Sequence, residues 1–389
     1  MALEYVETAL RKCVAPEFIF GIGARRMAGQ YARNLGARKL LVVTDPGVIQ
    51  AGWLKDVTDS LTAENLSYIV FDDVIPNPRE TNVASGAKIY RESKCDGIVS
   101  IGGGSPMDCA KGIGIVVSNM RNILEFEGVD KIRYPLPPLI CIPTTAGTSA
   151  DVSQFAIIND STRHVKIAII SKSIVPDVSL IDPETTLSMD ASLSIYTGLD
   201  ALTHALEAYV SNANSGITDI YAIEAIDLLF RFLPHVAKNL EDMEARASVM
   251  MASLLAGLAF SNASLGVVHA MAHSLGGWSD LPHGLCNAIL LDKAIKYNYA
   301  YATKRYATVA SHMGISCGAL TSKECASAFL EELLNFKESL GLTQRLGALG
   351  VKSNDIAHLS SMALKDVCIV TNPHMPHQQD VEEIFANAL

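Results

Sequence analysis

The chain is poor in charge. Asp, Glu, Lys and Arg make up 19% of its 389 residues, against about 25% in ordinary globular proteins, while apolar residues reach 49%. So little polar surface argues against disorder and for a buried subunit interface, in a homodimer or a higher homo-oligomer. The charge present is acidic, net −10, with no block of Lys or Arg. The electrostatic footprint that nucleic-acid or anionic-membrane binding requires is missing. No run approaches the roughly 18 to 20 uninterrupted apolar residues of a membrane span. The longest candidate, Met250–Phe260, is broken by Ser253 and Gly257 and reads as a buried helix. The N-terminal MALEYVETALRKC has acidic residues where a signal peptide needs a basic start and an apolar core, so a cytoplasmic location is expected. The eight cysteines (Cys13, Cys95, Cys109, Cys141, Cys286, Cys317, Cys325, Cys368) contain no CxxC pair. That spacing argues against a thiolate zinc site and a disulfide framework, and for buried free thiols. Repeats, low-complexity tracts and long linkers are lacking too.

What is present divides into two textures. At two to three times the usual domain length of about 100 to 150 residues, the chain holds enough material for two cores. In the first half, apolar runs at Lys39–Thr44, Tyr68–Phe71, Gly97–Ile101 and Leu139–Ile142 alternate with helix-like segments around Ile49–Leu61 and Asn82–Lys94. Such alternation predicts a parallel sheet with crossover helices, a Rossmann-like α/β domain over residues 1–184. Extended runs, FAIIND, HVKIAII and VSLID, close this half. After DPETTLSMD the period becomes 3.6, at Leu193–Val210, Thr218–Leu240, Ala245–Phe260, Gly266–Leu275 and Leu285–Tyr299, which predicts an all-helical domain over residues 185–389. With no linker between them, the halves are expected to pack directly and leave a cleft.

The densest local signal is IVSIGGGSPMDCAKGIG, residues 98–114. A buried strand runs into Gly102, Gly103 and Gly104, and Ser105 and Pro106 suit the start of a helix. Glycines admit a pyrophosphate close to the backbone, and the free N–H groups of the helix end bind its charge. A tight turn alone does not need three. The usual dinucleotide fingerprint follows a first strand with an acidic residue about 20 positions later, whereas these glycines follow the third predicted strand. The better acidic candidate is upstream. Asp45 ends the strand KLLVVT, placed to accept from the hydroxyls of an adenosine ribose, to cap the next helix, or both. Thr144, Thr145, Gly147 and Thr148 form a second small polar loop after a strand, suited to phosphate or ribose contacts.

The helical half carries a more specific cluster. In GLDALTHALEAY, Asp200 and His204 lie four apart on one helical face, and in GVVHAMAHSLGG His269 and His273 repeat that spacing. His283 follows Pro282 at the entrance of a further helix. Buried Asp and His without partners cost several kcal/mol each, and a divalent cation removes that cost. Imidazole and carboxylate without thiolate suit Fe(II), Zn(II), Co(II) or Ni(II), so the ligands do not name the metal. One of the five is left for proton transfer or for orienting the others.

GGGSPMDCAKGIG, TTAGTSAD, GLDALTHALEAY, GVVHAMAHSLGGWSDLPHG and KDVCIVTNP together closely resemble the iron-containing, group III alcohol dehydrogenases, over essentially the whole chain. The resemblance is greatest to the branch with 1,3-propanediol dehydrogenase, lactaldehyde reductase and NAD-dependent methanol dehydrogenase. It implies the fold shared with dehydroquinate synthase. It implies Asp200, His204, His269 and His283 as ligands of Fe(II), or of Zn(II) or another divalent metal, with His273 beside the nicotinamide and substrate. For the NAD site it implies Asp45 on the adenosine ribose, Asn77 near the adenine and ribose, and Gly102 to Ser105 on the pyrophosphate with Asp108 just beyond. It also implies Thr144, Thr145, Thr148 and Lys166 around the ribose and phosphate groups, Leu180 against the adenine, and Phe260 lining a small-alcohol pocket. Ser274, Cys286 and His374 depart from the family pattern, where proline, alanine and arginine are common. The activity implied is hydride exchange between NAD(H) and a small primary alcohol or diol, with the metal as Lewis acid and His273 as proton relay. The alternatives are a dehydroquinate synthase-like lyase that uses NAD transiently, which calls for a more basic cleft, and a filament-forming structural relative, which calls for a second enzyme half absent at this length.

Overall fold

The computed structural model describes residues Lys12–Leu389. The segment before Lys12, which carries most of the signal-peptide reading, lies outside the described residues. The chain divides after Asp190 into a unit of residues Val14–Asp190 and a unit built on Ala191–Leu389.

The first unit holds strands β1 (Glu17–Phe20), β2 (Lys39–Val43), β3 (Ser67–Phe71), β4 (Gly97–Gly102), β5 (Gly128–Val129), β6 (Leu139–Pro143), β7 (Phe155–Asp160), β8 (Val165–Ile170) and β9 (Val178–Ile181). Its helices are α1 (Ala28–Asn34), α2 (Pro46–Ala51), α3 (Trp53–Ala63), α4 (Glu80–Glu92) and α5 (Gly104–Asn119). Six strands form one parallel sheet in the order β1-β9-β6-β4-β2-β3. Alternate residues feed opposite faces. Leu41, Val43, Ile98 and Cys141 pack with Val83, Ala87 and Ile113 of α4 and α5. Leu40, Val42, Val99 and Ile140 pack with Ala32, Val57 and Leu61 of α1 and α3. Burial on both faces explains why these strands read as continuous apolar runs. The antiparallel pair β7–β8, joined on its β8 side by β5, forms a separate three-stranded sheet.

One expectation needs correction here. The glycines follow the fourth strand, because β1 is an edge strand of four residues with Glu17 and Phe18 exposed, and its three apolar residues are too short a run to betray it. The first unit runs through the DPETTLSMD segment to Asp190, and the segment after β9 is anchored to the sheet. Buried Arg25 reaches Asp182 at 2.5 Å and Glu184 at 2.7 Å, and Thr185 Oγ1 donates to the Pro143 carbonyl at 2.8 Å.

The strand order has a consequence for ligands. The chain steps from β2 outward to β3 and returns across to β4 on the other side. The carboxyl ends of β2 and β4 therefore flank the reversal point, the place where open α/β sheets bind nucleotides. Asp45 lies just after β2, and the three glycines lie at and just beyond the end of β4.

The second unit contains α6 (Ala191–Val210), α7 (Gly216–Lys238), α8 (Met243–Ala263), α9 (Val267–Ser279), α10 (His283–His312), α11 (Ser322–Ser339), α12 (Ile356–Ala363) and α13 (Gln378–Ala388). From Thr197 to Val210, α6 is buried on every side, as a central helix must be. By length and composition α8 could cross a membrane, but two thirds of its apolar window is buried against neighbouring helices. α10 is interrupted at Ala302, whose φ of −130° is not helical. The cysteine expectation is corrected in one place. Cys317 and Cys325 form a disulfide, because the turn before α11 folds back onto its first turn and brings their Cα atoms to 5.4 Å. Cys95, Cys109, Cys141, Cys286 and Cys368 are buried free thiols, and Cys13 is exposed.

Asp292 on α10 joins Lys337 on α11, both about nine-tenths buried or more. Burial alone would raise the Asp292 carboxyl, but Lys337 and Lys293 outweigh it and hold it below the usual range. Asp292→Ala leaves Lys337 buried without its acceptor and lowers stability by about 3–5 kcal/mol in chemical denaturation. Adding Lys337→Met recovers most of that loss, since no charge then stays buried.

Candidate active site

In the first unit, the glycine-rich turn is shaped by what presses on it. Gly102 has φ +155°, and a Cβ there would lie 2.5 Å from Pro106 Cγ and 3.3 Å from Asp45 Oδ2. A Cβ on Gly103 would meet Thr145 at 3.2 Å, and one on Gly104 would meet Thr148 at 3.0 Å. The second polar loop therefore lies against the first, and Thr144 N–H donates to the Gly102 carbonyl at 2.9 Å. The first turn of α5 has no side-chain cap, and Thr145 Oγ1 is buried without a hydrogen-bond partner. Uncapped amides and an orphaned hydroxyl supply the donors a pyrophosphate requires, and the acidic side chain beside them supplies the acceptor a ribose requires, so the residues present fit a dinucleotide. Asp45 does cap α2, accepting Val48 N–H at 3.0 Å through Oδ1, while Oδ2 faces Gly102. Ser105 is the second residue of α5, and Lys166 Nζ donates to Asn77 Oδ1 at 2.7 Å.

Two residues expected around the cofactor have structural partners of their own. Leu180 is fully buried in β9 within the core that contains Val178 and Ile140. Asp108 accepts Ile157 N–H at 3.1 Å, tying α5 to β7, and burial pushes its carboxyl up to about 6 despite nearby Lys111.

In the second unit, Asp200, His269 and His283 bring three ligand atoms within 4.8 Å of one another. Asn287, one turn after His283, lies among them. Its Nδ2 is 2.6 Å from Asp200 Oδ1, 3.1 Å from His269 Nε2 and 3.2 Å from His283 Nε2. An amide –NH2 has two hydrogens for those three neighbours, and Asn287 Oδ1 is itself buried without a partner. Lone pairs crowded in this way call for a cation, and nitrogen and oxygen donors without sulfur suit divalent iron or zinc. Electrostatics agree. Burial would raise the Asp200 carboxyl, yet His204, His283 and His269 hold it far below the usual range. Burial would lower His269, yet Asp200 and Glu207 bring it up to about 9. The field of the site draws positive charge to this point.

His204 stands beside this group and outside the three-atom cluster. Its ring stacks on His269 at 4.5 Å between centroids and on Phe260 at 4.2 Å. His273 stacks on His283 at 5.3 Å, and its Nδ1 is 2.8 Å from Asp366 Oδ2. Burial works against ionisation of Asp366, but His273 and the Cys368 N–H hold its carboxyl below the usual range, while burial and Asp366 push the Cys368 thiol well up. The trio is thus an aspartate–histidine pair with a protonated thiol beside it. Of the departures from the family pattern, Ser274 turns its hydroxyl onto the Met271 carbonyl, Cys286 is fully buried, and His374 stacks on Tyr301 at 4.0 Å.

Sequence reasoning missed Glu207, Asn287 and Asp366. Glu207 had a signal, since it extends the stripe of Asp200 and His204 by another turn, and Asn287 follows His283 by four. Asp366 is 93 residues from its partner and had none.

Residues 15–183 match the family model described as "Iron-containing alcohol dehydrogenase", and residues 194–389 match "Fe-containing alcohol dehydrogenase family, C-terminal". The chain belongs to the iron-containing alcohol dehydrogenase family. It is an alcohol oxidoreductase by that membership. It is 42% identical over 377 residues to "Alcohol dehydrogenase 4" of Schizosaccharomyces pombe, covering 96% of this chain and 88% of that one. With the "NAD-dependent methanol dehydrogenase" of Bacillus methanolicus it shares 36% over 376 residues, covering 97% and 99%. The solved structure described as "1,3-propanediol oxidoreductase" superposes with a TM-score of 0.95 at 37% identity, covering 98% of this chain and 100% of that one. Iron in the family description and NAD in a relative's name agree with the cofactors expected from the sequence.

Proposed function

We propose that this member of the family interconverts small primary alcohols or diols and their aldehydes with NAD(H), using Fe(II) or another divalent metal held by Asp200, His269 and His283 with His204 alongside. The observation that carries this reading is the convergence of three lone-pair atoms on the Asn287 amide, next to the His273–Asp366 pair. When bound, the ion supplies Lewis acidity and the dinucleotide supplies the hydride acceptor.

The chain's own residues do the rest. Asp200 contributes the one negative charge of the donor set. Asp366 accepts from His273 Nδ1–H, which leaves the His273 Nε2 lone pair to take the alcohol's hydroxyl proton. In aldehyde reduction the same nitrogen returns that proton. Phe260, stacked on His204, gives an apolar wall that suits a short carbon chain. Asp45 accepts from the ribose, while Gly103, Gly104 and Ser105 offer amides to the pyrophosphate. A small uncharged alcohol or aldehyde as the only partner besides further copies of the chain, and a cytoplasmic location, belong to this proposal. Support comes from the acidic balance of the sequence.

A panel of C2 to C5 alcohols, diols and aldehydes, assayed with both nicotinamide cofactors on iron-loaded protein, tests it. Short primary alcohols or diols give stoichiometric NADH. Turnover without net NADH, as a lyase would give, contradicts the proposal.

A further inference from the structure

The two helices that carry Asp200 and His269 are joined by a carboxylate outside the donor set. Glu207 lies on α6, seven residues after Asp200 and three after His204, and is 4% exposed. Its two oxygens have separate tasks. Oε2 is 2.6 Å from His269 Nδ1, and Oε1 accepts Val268 N–H at 2.7 Å. Val268 is the second residue of α9, where backbone N–H groups have no partner within the helix. The preceding N–H, of Val267, goes to Asn372 Oδ1 at 3.2 Å. The end of α9 is therefore capped from other parts of the fold. A Cβ on the N-cap residue Gly266 would come within 2.8 Å of Asn372 Oδ1 and 2.9 Å of Glu207 Oε1, so a side chain there would push against both capping groups.

We propose that Glu207 is a positioning residue of the ion site: it sets the tautomer and orientation of the His269 ring and holds α9 in register with α6, so that affinity for a divalent ion depends on it. The inference rests on the donor set described under the proposed function. An imidazole that donates Nδ1–H to a carboxylate keeps its lone pair on Nε2. Nε2 is the His269 atom that faces Asp200, 3.7 Å from Oδ1. Without the Glu207 contact, the ring is free to turn and present the other nitrogen. The bond to Val268 N–H acts on the backbone next to the ligand. A slide of α9 by one residue moves His269 by about 1.5 Å, far beyond the roughly 0.5 Å a ligand set tolerates. Both partners of Glu207 are donors, so a carboxylate serves both. A glutamine can accept from one and must turn its –NH2 toward the other. Sequence spacing supports the role, because one helix face then carries Asp200, His204 and the group that orients His269.

The test uses full-length protein stripped with a chelator and titrated with Zn2+ in competition with a chromophoric chelator. Co2+ absorption spectra and melting curves of the metal-free form accompany it, for wild type, Glu207→Ala, Glu207→Gln and Asn372→Ala. Wild type binds Zn2+ stoichiometrically. Glu207→Ala weakens binding about 10- to 100-fold. Glu207→Gln, which keeps the shape of the side chain and carries the test if the alanine variant does not fold, weakens it less and shifts the Co2+ bands. Asn372→Ala loosens the helix end, keeps the His269 contact, and leaves affinity near the wild-type value. Glu207 variants that melt earlier yet bind Zn2+ as tightly as wild type, with an unchanged Co2+ spectrum, would overturn the proposal, as would an equal loss in Asn372→Ala. A wild-type chain that binds no Zn2+ or Fe2+ would overturn the donor set itself.

Discussion

Asp200→Ala abolishes ion retention and alcohol oxidation together. Asp200 is the only carboxylate in the three-atom cluster and the residue that holds the site's negative charge, against full burial. Removing it leaves the ring nitrogens of His269 and His283 facing one another's lone pairs, with only the Asn287 amide between them. An ion loses its one charged donor, and the remaining imidazoles, on two helices, have no anion to draw them together. The expected result is protein with little bound metal after dialysis and a kcat lower by about 10^3-fold or more, corresponding to the several kcal/mol that Lewis-acid stabilisation supplies. Elemental analysis and initial rates measure the two effects on one sample. Full activity in metal-free Asp200→Ala protein would remove the donor set from the chemistry.

Asp45→Ser changes cofactor choice. Asp45 follows β2 at the reversal point of the sheet, with Oδ1 on Val48 N–H and Oδ2 against Gly102. A carboxylate there repels a 2′-phosphate, and like charges brought together cost several kcal/mol, so kcat/KM with NADP rises relative to NAD by about 10^2-fold when the charge is removed. Serine is chosen because it caps a helix as well as aspartate does, which separates the two roles of the side chain. The helix start is preserved and only the charge is lost. An unchanged ratio of the two cofactors would confine Asp45 to capping.

The fold was legible where one period dominated. β2, β4 and β6 are apolar runs buried on both faces, β3 is a part-buried apolar run at the sheet edge, and α6 to α9 are long apolar-rich segments, so their existence follows from the residues. β1 was not legible, because EFIF is a half-exposed edge strand held mainly by its backbone pairing to β9. Of the site, the pairs four residues apart were readable because helical geometry turns spacing into proximity. His283 was placed by its position before a helix, and Asp366 by nothing local. Leu180, attached to the cofactor by resemblance, has its side chain in the sheet's core. The Cys317–Cys325 pair escaped because a turn, with no periodicity, brings the two together.

The most direct test of the account is NADH formation from a short primary alcohol as iron occupancy is varied in anaerobically purified protein. Rate proportional to occupancy, lost on chelation and restored by Fe(II), is the predicted result. Undiminished NADH formation by fully stripped protein would contradict it.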